Sequence, residues 1–166
     1  MQLLLQLIDQ SYNRKSWHGT NLRGSIRGLT VHEALWRPSP TRHNIWEIVA
    51  HCAYWKYAVR RRIMGEKRGS FPLKGSNWFR RTGNLTEMQW RNDVRLMEKC
   101  HRSLREIVTK LPAKDLKHTP HGSTVDNAMI LTGIASHDVY HAGQIQILKR
   151  LMKRKDHDQA SSSSAA

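Results

Sequence analysis

The chain has 166 residues, 39% of them hydrophobic, and carries 28 Lys and Arg against 13 Asp and Glu, a formal net charge of +15. That length makes one domain, able to bury a core without staples, and no stretch approaches the ~20 apolar residues of a membrane span. Only two cysteines are present, Cys52 and Cys100, each inside an apolar helical pattern, so free thiols are expected rather than a disulfide. The first residues lack a basic start and a small-residue cleavage site, so no signal peptide is expected and a cytoplasmic location follows.

In chain order, residues 2–15 predict a first helix, with Leu4, Leu7, Ile8 and Tyr12 at helical spacing. Gly19 bends the chain, and Leu22 and Ile26 resume a helix to about Gly28. Thr30 and Glu33 fit a capping box for one short turn, and Pro38 and Pro40 make a stiff connection. A second long helix is predicted over 44–64 on the stripe Ile45, Ile48, Val49, Cys52, Trp55, Val59, Ile63, stopped by Gly65. Residues 65–85 hold five Gly or Pro and form a long connection, which Trp78 and Phe79 should anchor to the helices. Thr86 with Gln89 opens a third helix, whose seam runs Trp90, Val94, Met97, His101, Leu104, Val108, Leu111, and Pro112 closes it.

Residues 113–123 form a polar connection, and Ser123 or Thr124 is expected to cap the last helix, 125–152. Beyond it the polar residues 154–166 cannot bury anything and are expected to be disordered. The sum is an all-α chain: an antiparallel four-helix bundle over 1–153 with a long loop between helices 2 and 3.

Chemistry concentrates in the last helix. His137 and His141 stand four apart and project from one face, one above the other. They complete the apolar series Ile130, Ile134, Ile145, Leu148, so they lie on the stripe the helix buries. A buried imidazole must be hydrogen-bonded or coordinated, or it costs on the order of 1–3 kcal/mol. Two of them at this spacing are the pattern by which a helix offers a pair of ligands to one metal ion; a pair of satisfied core histidines is the alternative. His51 borders the stripe of the second helix and supplies a third imidazole.

His43 is expected to serve local backbone or solvent, and His101 to be a core histidine, with a fourth-ligand role open to it. Asp138 mimics the acid of a His-Glu-x-x-His protease but is one methylene shorter, so it is expected to orient an imidazole or a neighbouring helix instead. Tyr140, one step from His141, is expected to pack, with reach to the site as the alternative, and Gln144 to hydrogen-bond either a water on the metal or the second helix's backbone.

The positive charge is uneven: from residue 56 to residue 81 nine residues are basic and one, Glu66, is acidic. Such an excess attracts nucleic acid, anionic membrane or anionic small molecules. No zinc-finger, helix-turn-helix or RNA-binding signature accompanies it, so a nucleic-acid partner is not favoured and a small-molecule substrate is.

With His51 in IWEIVAHCAYW, the segment HDVYHAGQI at 137–145 and SWHGTNLRGSIRGL at 16–29, the chain resembles the DinB-like superfamily of metal-binding four-helix bundles, which includes the YfiT-like proteins. That resemblance implies His51, His137 and His141 as a triad for a divalent metal (zinc, nickel, manganese or iron in different members) at one end of the bundle, and a homodimer. It also implies chemistry: characterised branches are transferases and isomerases that use small thiols such as bacillithiol or mycothiol. The expected activity is therefore a low-molecular-weight-thiol S-transferase, with a hydrolase using metal-bound hydroxide, or a non-catalytic metal- or nucleic-acid-binding module, as alternatives.

Overall fold

The helices begin where the sequence supplies an oxygen for their orphan N–H groups. A computed structural model describes residues 1–67, 69 and 71–163, with the backbone alone over 156–163. Arg68 and Ser70 of the basic loop, and residues 164–166 of the tail, lie outside the described residues. Among the described residues the chain is all-helical, with six α-helices, one 3-10 helix and no strand. The six are α1 (Gln2–Tyr12), α2 (Leu22–Ser25), α3 (Val31–Leu35), α4 (Ile45–Ile63), α5 (Glu87–Lys110) and α6 (Asn127–Ser163).

Capping boxes start three of them: Thr30 with Glu33 for α3, Asn44 with Glu47 for α4, and Thr86 with Gln89 for α5. In each, the cap side chain accepts from the third backbone N–H and the acid or amide reaches back to the cap's own N–H. α6 is capped one turn later than the sequence suggested. Asp126, not Ser123 or Thr124, accepts from the Met129 N–H at 2.9 Å, while Ser123 closes a small turn with Val125.

Several ends differ from the periodicity. α1 stops at Tyr12, because the Asn13 and Arg14 amides both fold back onto the Asp9 carbonyl at 2.9 Å. α2 ends at Ser25, short of Gly28; glycines 24 and 28 weaken it, and Gly28 takes a positive φ of 74° in the turn that follows. The polar connection after α5 contains a 3-10 helix, Ala113–Lys117, started by Pro112 and tied to α6 by Asn127, which donates to the Asp115 carbonyl at 2.9 Å. The α6 backbone runs on to Ser163, into the segment expected as a loose tail. No Gly or Pro follows Gly143, so nothing in the chain terminates the helix there.

α4 packs against α5 and α6, and α1 packs against α6 and α5. The core falls into two apolar clusters. One draws on Ile45 to Ala53 of α4 and on Ile145 and Leu148 of α6; the other draws on Val59 of α4 and on Ile130 to Ala135 of α6. Low numbers on α4 therefore meet high numbers on α6, and the changeover falls at His51 and Lys56 on one helix and at His137, Asp138 and His141 on the other. Of these polar side chains His51, Lys56, Asp138 and His141 are buried and His137 is half-buried.

The long loop lies on the bundle as expected: Phe79 is fully buried, and Phe71 and Trp78 pack against the first cluster. Its basic run is less of a surface than composition suggests. Lys56 is buried, Arg81 pairs with Asp93 at 2.8 Å, and Arg60 pairs with Glu66. Among the described residues no helix is long and apolar enough to cross a membrane.

Candidate metal centre

α6 presents His137 and His141 one turn apart, and α4 brings His51 against them. The His137 Nε2 lies 3.2 Å from the His51 Nε2 and 3.1 Å from the His141 Nε2. The three ligand nitrogens lie within 4.8 Å of one another.

The far nitrogens decide what these contacts mean. His51 donates its Nδ1–H to the Asn77 carbonyl at 2.7 Å, and His141 donates its Nδ1–H to the Gln144 Oε1 at 2.7 Å. Both acceptors are oxygens without a proton, so both Nδ1 atoms are protonated and both Nε2 atoms are bare lone pairs. His137 has one proton in its neutral form, and its buried Nδ1 has no hydrogen-bond partner. Three nitrogens facing one another thus share at most one proton. Lone pairs at such distances repel unless a cation lies among them, so the donor set fits a divalent metal.

Burial keeps the rings in the neutral form that coordinates. It pushes His137 down to about 3, helped by the charges of His141, His51 and Lys56. It pushes His141 down to about 4 against the hydrogen bond to Gln144, and lowers His51 against the hydrogen bond to Asn77. A protonated ring would bring its charge into this interior without a carboxylate partner.

The surrounding residues depart from the sequence reading in instructive ways. Gln144 fixes the His141 ring, and its amide nitrogen donates to the Tyr140 hydroxyl at 2.9 Å. Tyr140 is 62% exposed rather than packed. Asp138 forms a buried ion pair with Lys56 through Oδ2, so of its two expected roles it takes the tie to a neighbouring helix, while its carboxylate stays close to His137. His101 stacks on Tyr12 at 3.7 Å and is absent from the converging nitrogens, as a core histidine would be. A second close trio, Cys52, His137 and Asp138, adjoins the first. Burial raises the Cys52 thiol well above its usual range, which keeps it protonated, and Lys56 holds one of the two Asp138 carboxylate oxygens.

The loop supplies what periodicity could not show. The Trp78 indole is stacked between His51 at 3.8 Å and His43 at 3.6 Å, so it covers one face of a triad ring. His43 therefore stacks on Trp78 and bonds the Glu47 carboxylate at 3.0 Å, with its ring still half exposed to solvent. Glu47 binds the loop to the helix: it accepts from the Arg81 backbone N–H at 3.0 Å and the Arg37 guanidinium at 2.9 Å. Burial alone would raise its pKa, but these donors together lower it. The Asn44–Glu47 spacing was a visible cap signal; the Asn77 carbonyl had no sequence signal at all.

Beside the triad a cavity of about 410 Å³ opens between α4, α6 and Trp78, with His141 and Gln144 in its wall. No curated protein and no solved structure matches the chain. The family model described as the DinB superfamily matches residues 16–145, most of the chain and all three converging histidines. This chain belongs to the DinB superfamily.

Proposed function

We propose that this protein is a metal-dependent enzyme, a low-molecular-weight-thiol S-transferase whose divalent metal is held by His51, His137 and His141. The observation that carries the reading is the convergence of three Nε2 lone pairs whose protons are committed to the far side of at least two rings. A divalent cation there supplies Lewis acidity, which favours the deprotonated form of a small thiol or of water.

The chain's own part is to present neutral rings, hold their orientation and shield one side. Asn77 and Gln144 fix the tautomers, and Trp78 keeps water from the outer face of His51. Two features favour the thiol over hydrolysis. Three neutral imidazoles leave the cation's charge uncompensated, which suits an anionic sulfur ligand. Among the described residues no carboxylate lines the adjoining cavity to relay a proton to a leaving group, and Glu47 is taken up by Arg37, Arg81 and His43.

The test is a paired assay on metal-loaded protein, cysteine with a chromogenic alkylating agent against p-nitrophenyl acetate. Thiol consumption that scales with bound metal and is lost in His137→Ala supports the transferase. Metal-dependent ester cleavage without thiol transfer assigns the hydrolase instead.

A further inference from the structure

The wall of the cavity beside the triad includes His141 and Gln144 of α6, and His43 and Arg42 from the connection that precedes α4. The rest of the lining is largely apolar, with Ile48 from α4, Ile147 and Leu148 from α6, and Trp78 from the loop. Ile147 is 59% exposed although its neighbour Leu148 is buried, so this wall is open to a ligand. A volume of about 410 Å³ suits a small organic molecule rather than a lone ion.

Arg42 is the one residue of fixed charge among the described residues of this lining. Of its neighbours, Arg37 is paired with Glu47 and Arg81 with Asp93, while Arg80 shares with Arg42 the adjoining cavity and does not line this one. Arg42 enters no ion pair among the described residues, yet its backbone is held. Its carbonyl accepts from Arg37 at 2.9 Å and its N–H donates to the Ser39 carbonyl at 3.1 Å. A guanidinium on a fixed backbone, uncompensated and beside apolar surface, offers a two-pronged donor for a carboxylate.

We propose that the cavity binds a small amphipathic monocarboxylate, its head on Arg42, its aliphatic or aromatic body against Ile48, Ile147 and Leu148, and its other end toward His141. This rests on the metal-enzyme reading for what happens at that other end, while binding of the head needs Arg42 and no metal.

The experiment titrates 4-phenylbutyrate and its neutral amide, 4-phenylbutanamide, into metal-loaded protein by calorimetry. The acid is expected to bind roughly tenfold more tightly than the amide. Arg42→Gln should bring the acid down to the amide's affinity and leave the amide and the metal content unchanged. Equal affinities in the native protein, or a preference that survives Arg42→Gln, overturn the proposal. So does a preference lost in Arg80→Gln instead, since Arg80 lines the adjoining cavity and not this one. Repeating the titration after chelation separates this proposal from the reading it rests on. A preference that persists without metal supports the Arg42 site; one that vanishes puts the carboxylate on the metal and overturns it. Protein that never takes up metal but keeps the Arg42-dependent preference contradicts the metal reading alone.

Discussion

Replacing Asp138 by Asn should destabilise the fold far more than removing both Asp138 and Lys56 together. The two side chains are 2% and 1% exposed and pair across α6 and α4. Among the described residues the Lys56 ammonium has no other hydrogen-bond acceptor; the nearest further feature is the Tyr12 ring, 5.1 Å from its centroid. Neutralising the carboxylate leaves a buried cation uncompensated, at a cost of about 3–5 kcal/mol. That is about a fifth or more of the ~5–15 kcal/mol stability of a typical domain. At roughly 2–4 °C per kcal/mol for a chain of this size, Tm falls by roughly 6–20 °C. The double variant Lys56→Met/Asp138→Leu keeps apolar volume without either charge and should lie within about 1–2 kcal/mol of the native chain. Urea titration and thermal melts at pH 7 measure all three proteins, after chelation so that bound metal does not add to stability. A cost under ~1 kcal/mol for Asp138→Asn, or a double variant as unstable as the single, would refute the reasoning.

Two further outcomes follow from the buried histidines. Gln144→Ala removes the acceptor that fixes the His141 ring and should weaken metal affinity by roughly 10- to 100-fold, with Gln144→Glu retaining most of it; competition against a chelator measures both, and unchanged affinity in Gln144→Ala counts against the ring-orienting role. His101 is pushed down to about 3 by burial and by the charges of Lys56 and Arg105. The unfolded chain therefore takes up this proton first, and the stability of the native protein falls as pH drops from ~6.5 toward 3 by about 1.4 kcal/mol per unit. His101→Phe lacks that loss, so its stability relative to the native protein should rise by this slope between pH 6 and pH 4, and a flat difference would contradict it.

The long helices and the approach of His51 to His137 and His141 could be read from the sequence because helical period carries that information. A residue's face follows from its number, and both histidine positions fell on or beside a buried stripe. The same rule failed for Lys56. It was counted among surface charges because a lysine's type outweighs its position, although it stands four residues after the buried Cys52 on α4. Trp78 was read as an anchor of the loop, but what it and Asn77 do at the histidines was illegible for a different reason. They lie in a loop without period, and one acts through its backbone carbonyl, which every residue possesses. Gln144 was singled out by spacing, but its bond to the His141 ring was not foreseen, since spacing shows that a side chain reaches a ring and not which nitrogen it meets. The α6 cap moved from Ser123 or Thr124 to Asp126 because three consecutive-range candidates compete and only the turn before the helix selects among them.

The account stands on the claim that the three inward nitrogens share one divalent cation. Native mass spectrometry of the protein, stripped and then reconstituted in turn with Zn²⁺, Ni²⁺, Mn²⁺ and Fe²⁺, measures this directly. At least one of these ions should bind at one per chain, and occupancy should collapse in His51→Ala, His137→Ala and His141→Ala alike. Binding that persists in all three variants, or no retained ion from any of the four metals, would contradict it.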